Sequence, residues 1–97
     1  MKAIFVSCNQ ALYEEVLQKM NEAGVRGYTG WEEVTGCGMK DGEPHLGSHA
    51  WPTMNSSLMA MAEEPAASQF LETLRAIDAE NPKLGLRAFW WEIGGTI

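Results

Sequence analysis

Cys37, His45 and His49 stand in a C-x7-H-x3-H arrangement, with Asp41 and Glu43 between them. Thiolate and imidazole are the preferred ligands of zinc, and both also suit copper. A loop carrying such residues could fold around a divalent metal ion and change shape on binding it. The spacing matches no standard zinc motif. The same residues therefore also read as two loop histidines and a strand-end thiol packed under a subunit edge. Other chemistry is less well supported. The acidic pair Glu32-Glu33 lies in a strand-like run, where neighbours point to opposite faces, so the two carboxylates do not converge as an acid–base pair would. Glu63-Glu64 stands where acids favour a helix N-terminus. Cys8 and Cys37 form no CxxC motif. Met59 and Met61 alternate with small and apolar residues and read as core filler. Trp51-Pro52 is a candidate anchor for a partner protein. No arrangement of nucleophile, base and acid emerges, and the chain is expected to be non-enzymatic.

Composition narrows the partners. The 97 residues suit one domain, spanning 1–97. Thirteen acids against seven bases give a formal charge of −6, and no stretch is rich in Lys or Arg. Phosphate contacts supply most nucleic-acid affinity, so DNA and RNA are excluded as expected partners, as is an anionic membrane surface. The longest apolar run is the five residues Leu58 to Ala62, far below the ~20 that span a bilayer. The run Ala3 to Val6 is too short for a signal peptide, which points to the cytoplasm.

The elements that would hold the loop follow from periodicity. Lys2 to Cys8 reads as a buried strand. Asn9 offers an N-cap, Leu12, Val16, Met20 and Ala23 recur at helical spacing, and Gly24 suits the closing left-handed position, so a helix is expected over 10–23. Tyr28 to Thr35 is a second strand, with Gly30 marking a bulge or a close backbone approach. Residues 39–51 carry Gly42, Pro44, Gly47 and both histidines without a hydrophobic period, which makes a long loop of the kind that often has a function. Asn55 to Ala62 is a third strand. Pro65 suits the first turn of a second helix with the stripe Phe70, Leu71, Leu74 and Ile77, which Asn81-Pro82 stops. Leu86 to Ile93 is a fourth strand, followed by the short tail Gly94 to Ile97.

The order βαββαβ, with right-handed crossovers, predicts a ferredoxin-like α+β sandwich: a four-stranded antiparallel sheet with two helices on one face. The other face must then be covered. Trp31, Trp90 and Trp91 lie on strands, and Trp90-Trp91 sends one indole to each side. A large apolar patch on a small domain marks an association surface, so a homo-oligomer is expected.

Gly24-Val25-Arg26-Gly27-Tyr28-Thr29, followed by Glu33-Val34-Thr35-Gly36-Cys37-Gly38, resembles the nitrogen-regulatory PII family. That family has a Gly-x-x-Gly-x-Thr start to its second strand, then Glu-Val-x-Gly-x-Gly leading into a long T-loop. The passage Gly47-Ser48-His49-Ala50-Trp51-Pro52 is similar to a divergent PII-like group associated with metal-efflux and transport operons. The resemblance implies a cytoplasmic homotrimer engaged in signal transduction, with ligand clefts between subunits. It implies that Gly36, Cys37, Gly38 and Met39 line the cleft, where loop N–H groups make an anion nest. Gly85 and Arg87 match by position the family's Gly-rich loop and its phosphate-binding lysine. The implied effector is ATP, ADP or another anion. The implied partner is a membrane transporter, efflux pump or enzyme, met through the loop at His45, His49 and Trp51. A related trimer of the divalent-cation-tolerance (CutA-like) type implies instead a metal ion at Cys37, His45 and His49 and a role in metal homeostasis. The stretch Pro82 to Arg87 is shorter than the PII phosphate loop and lacks its Gly-Asp-Gly-Lys run. One cation per site is few for a triphosphate. The tyrosines are Tyr13 and Tyr28, so none lies in the loop for modification.

Overall fold

A computed structural model of the chain describes residues 1–37, 44–47 and 53–97. Four strands form its sheet: β1 (Lys2–Asn9), β2 (Tyr28–Val34), β3 (Asn55–Ala62) and β4 (Arg87–Glu92). Helix α1 (Tyr13–Glu22) follows β1, and α2 (Ala66–Glu80) follows β3. The strand order is β2-β3-β1-β4 and every neighbouring pair is antiparallel. This is the expected ferredoxin-like sandwich.

The alternation along β1 explains the layering. Ile4, Val6 and Cys8 are buried and stand in register with Ala60, Leu58 and Ser56 of β3. This face receives Val16 and Met20 from α1 and Phe70, Leu74 and Ile77 from α2, and these side chains form one core. Burial there pushes the Cys8 thiol up to about 11, so it stays protonated near neutrality and acts as a small apolar side chain.

Local signals act as read, with one refinement. The Asn9 side-chain oxygen accepts from the Ala11 N–H at 2.8 Å. The first turn after it, Gln10–Leu12, is 3₁₀ rather than α, so the expected helix over 10–23 tightens at its start. Gly24, at φ +89°, closes α1 while the Val25 N–H reaches back to the Met20 carbonyl at 3.0 Å. Gly30 marks a close approach: a Cβ there would overlap the Tyr13 hydroxyl of α1. The bulge lies just beyond it, between Trp31 and Val34. Asn81 ends α2 by donating from Nδ2 to the Ile77 carbonyl at 2.9 Å.

At the end of the sheet away from the loop, charge ties three elements together. Lys2 Nζ lies 2.8 Å from Glu64 and 3.4 Å from Glu92, and the chain's amino group lies 3.3 Å from Glu92. The Glu64 carboxylate also accepts from Ser68 Oγ at 2.6 Å. The Lys2 hydrogen bond holds the Glu64 carboxyl below its ordinary range, and the amino terminus followed by Lys2 does the same for Glu92. Lys2 is raised in turn, chiefly by Glu64. The depressed carboxylates stabilise the fold above their ordinary pKa, and that contribution is lost as pH falls through the folded values. The Lys2 contribution is present below its ordinary pKa and is lost as pH rises through its folded value. The thermal midpoint should therefore be flat around neutrality and fall on acidification. Glu64→Gln should shrink the acid limb in a pH series of melting curves; an unchanged limb would remove these carboxylates from the account.

Candidate functional site: the loop base and the end of the sheet

The C-terminal ends of β1 and β2 and the N-terminal ends of β3 and β4 meet at one end of the sheet. Gly36 follows β2 here. Its N–H donates to the His45 carbonyl at 2.8 Å, and the His45 N–H donates back to the Gly36 carbonyl. The long loop thus folds back on its own start. A second bridge pairs Leu46 with Met54, and the Gly47 N–H donates to the Thr53 carbonyl at 3.2 Å. Gly47 has φ +65° and its α-carbon faces the Met54 side chain, so a substituent there would be strained and crowded. The Met54 carbonyl accepts from the Gln10 N–H at 3.0 Å, which joins the loop's return to the end of β1.

Side chains lock this backbone frame. His45 is buried, and its Nδ1 donates to Asn55 Oδ1. Asn55 is 2% exposed and donates from Nδ2 to Ser7 Oγ at 3.0 Å. An amide oxygen only accepts, so this arrangement puts the imidazole proton on Nδ1 and leaves Nε2 without one in the neutral ring. Ser56 Oγ donates to the Glu32 carbonyl at 2.5 Å and steadies the bulge in β2. Gly36 packs against the Asn55 side chain so closely that any Cβ would collide with its amide.

Gly36 and Cys37 follow β2, whose last residues pair with the start of β3, and Cys37 is exposed. His45 is placed inside the loop base against Asn55, turned away from solvent. Gly38, Met39, His49 and Trp51 lie outside the described residues. Among the described residues no three His, Cys, Asp or Glu side chains gather as metal ligands. Gly85 is buried at φ +74°, where it turns the chain into β4. Arg87 opens β4 in register with Ser7, its Nη1 donating to the Leu86 carbonyl at 2.7 Å and lying 4.0 Å from Asp78. It borders an open groove beside α2 that includes Leu74 and Trp90, where Arg75 stacks at 5.9 Å from the Trp90 ring.

Two strands separate β2 from β4, so the loop base and Arg87 are about 14 Å apart at strand spacing. They share an end of the sheet but occupy opposite edges. Within one chain they do not form a single pocket.

The face of the sheet away from the helices is apolar. Phe5 and Ala3 of β1 lie in register with Met59 and Met61 of β3 on one side and with Phe89 and Trp91 of β4 on the other, and Trp31 of β2 joins them. Phe89, Trp91, Trp31 and Met61 are all exposed. Trp90 points the other way, toward α2, as the alternation requires.

Asn55 and Ser7 were not singled out as site residues by the sequence. The available signal was Asn55-Ser56-Ser57, a polar start to an otherwise apolar strand. Buried polar residues in a row need partners, and here they find the loop and the neighbouring strands.

No family model matches the chain, and no curated protein matches it either. Solved structures do. A PII-like signalling protein of Thermus thermophilus superposes with a TM-score of 0.68 at 20% identity, covering 95% of this chain and 85% of that one. CPII of Thiomonas intermedia, solved with ADP and bicarbonate, gives a TM-score of 0.74 at 20% identity, covering 95% and 84%. The same protein in its apo form gives 0.66 at 18% identity, covering 98% and 92%. The chain has the fold of the PII-like proteins. Among the described residues no helix is long and apolar enough to cross a membrane.

Proposed function

We propose that this chain is a PII-like regulatory protein. Three copies close their apolar sheet faces around a common axis, and an adenine nucleotide or similar anion binds in the clefts between them. The observation that carries the reading is the split site. The loop base at Gly36 and Cys37 and the cation Arg87 stand at the same end of the sheet on opposite edges. A ring of copies brings one chain's β2 edge near the next chain's β4 edge, which completes a cleft that a single chain lacks. The loop start from Gly36 to Met39 would line the cleft, with N–H groups beyond Gly36 turned to the anion, since the Gly36 N–H is held by the His45 carbonyl, and Arg87 would supply its guanidinium. The structures of CPII with ADP and bicarbonate, and with ADP, AMP and bicarbonate, support a nucleotide of low charge over a triphosphate.

The mechanism is a population shift. A ligand that contacts the loop base favours one arrangement of residues 39–51, and that arrangement binds or releases a transporter or enzyme. Arg87→Ala should weaken ADP binding at least about tenfold, as expected for a lost charge-assisted hydrogen bond of about 1.5–3 kcal/mol. Titration calorimetry reads this directly. Equal affinity in the variant would remove Arg87 from the cleft.

A further inference from the structure

The chain His45–Asn55–Ser7 crosses the sheet end from the loop to the central strand. His45 belongs to the loop, Asn55 opens β3 and Ser7 lies on β1. Ser7 stands in register with Ser57 on one side and Arg87 on the other. His45 and Asn55 are buried and Ser7 is half-buried, and Asn55 also fills the space against Gly36. A rigid amide bonded at both ends cannot follow a displaced His45 without releasing Ser7 or pulling on β1. A buried polar group that loses one partner bears its full desolvation cost, so the three positions respond together.

We infer that His45, Asn55 and Ser7 form a tie that makes the loop base and the β1–β4 pair move as one unit. In the proposed ring these two parts of a subunit border different clefts. The tie then carries the state of the loop in one cleft to Arg87 in the next. That consequence rests on the proposed trimer, whereas the tie itself does not.

The test begins without ligand. Among the described residues, the hydrogen bonds of the Ser7 side chain reach the loop through Asn55. Ser7→Ala should therefore speed hydrogen exchange of the Gly36 amide about fivefold, the equivalent of one net hydrogen bond. In an Asn55→Ala background the same Ser7→Ala change should add nothing, because coupled positions are not additive. In the other direction, His45→Ala should shift the backbone amide resonance of Arg87, at the far edge of the sheet. Circular dichroism of each variant checks that the fold is kept. Unchanged Gly36 protection in Ser7→Ala, additive effects in the double variant, or an unmoved Arg87 resonance would each overturn the tie. ADP added to the unaltered protein separates the two proposals. With the tie intact, failure to bind ADP removes the clefts and leaves the exchange result standing.

Discussion

Gly36→Ala should unfold the loop base. The added methyl would occupy the space of the Asn55 amide, which is buried and already bonded to His45 and Ser7. The amide cannot retreat into open space, because Asn55 is buried in β3 between Asn9 of β1 and Val34 of β2. Displacing it leaves buried donors and acceptors without partners, at about 1–3 kcal/mol for each group. For a domain of this size each kcal/mol lowers the melting temperature by about 4–8 °C. A fall of roughly 10 °C or more is therefore expected in a thermal melt, with faster exchange of the amides near His45 and ADP binding reduced beyond detection. A variant melting within about 2 °C of the parent protein would show that the loop base tolerates a side chain and that Asn55 is not its anchor. The same residue pair explains why sequence places a glycine here: the close approach of a buried amide requires a residue without Cβ.

Phe89→Glu combined with Trp91→Glu should produce monomers. Both rings lie on the sheet face away from the helices, at 59% and 46% exposure. Aromatic side chains bury about 150–250 Å² each when fully covered, so covering the exposed half of either ring contributes roughly 2–3 kcal/mol at about 25 cal/mol per Å². The substitutions remove that contribution and would place like charges against one another around the proposed axis. Both positions are exposed within the chain, so the isolated fold should persist. Size-exclusion chromatography with light scattering distinguishes the outcomes. A double variant with the parent's mass would show that this face is not the one that joins the copies.

Much of the fold was legible because its determinants are local. Lys2 to Cys8 is a short β-rich run, Val16 and Met20 repeat at helical spacing, and Asn9 and Gly24 punctuate the first helix. Each is a short-range pattern with a physical meaning, and the strand Asn55–Ala62 has the bounds read from it. The split of aromatics between two faces was also legible, since Trp90 and Trp91 must diverge. The site was less so. His45 reads from the sequence as a metal ligand, a partner contact or a side chain packed under a subunit edge, because a histidine in a polar loop carries no mark of burial within its own chain. Its burial comes from the Gly36–His45 bridge, a contact set by how the loop folds back rather than by spacing. The link from residue 45 to residue 55 to residue 7 spans three separate segments, so no local pattern could encode it. Gly85 was matched by position to a phosphate loop; its positive φ and burial give it the additional duty of turning the chain into β4.

The most direct measurement is a native mass spectrum of the protein offered ADP, ATP and Zn²⁺ in competition. The account predicts a trimer that takes up one ADP per cleft, with Arg87→Ala giving the same trimer without nucleotide. A trimer carrying zinc in place of nucleotide would contradict the proposed ligand and return the weight to Cys37, His45 and His49. A monomer would contradict the completed cleft itself, and with it the split-site reading on which the proposed function stands.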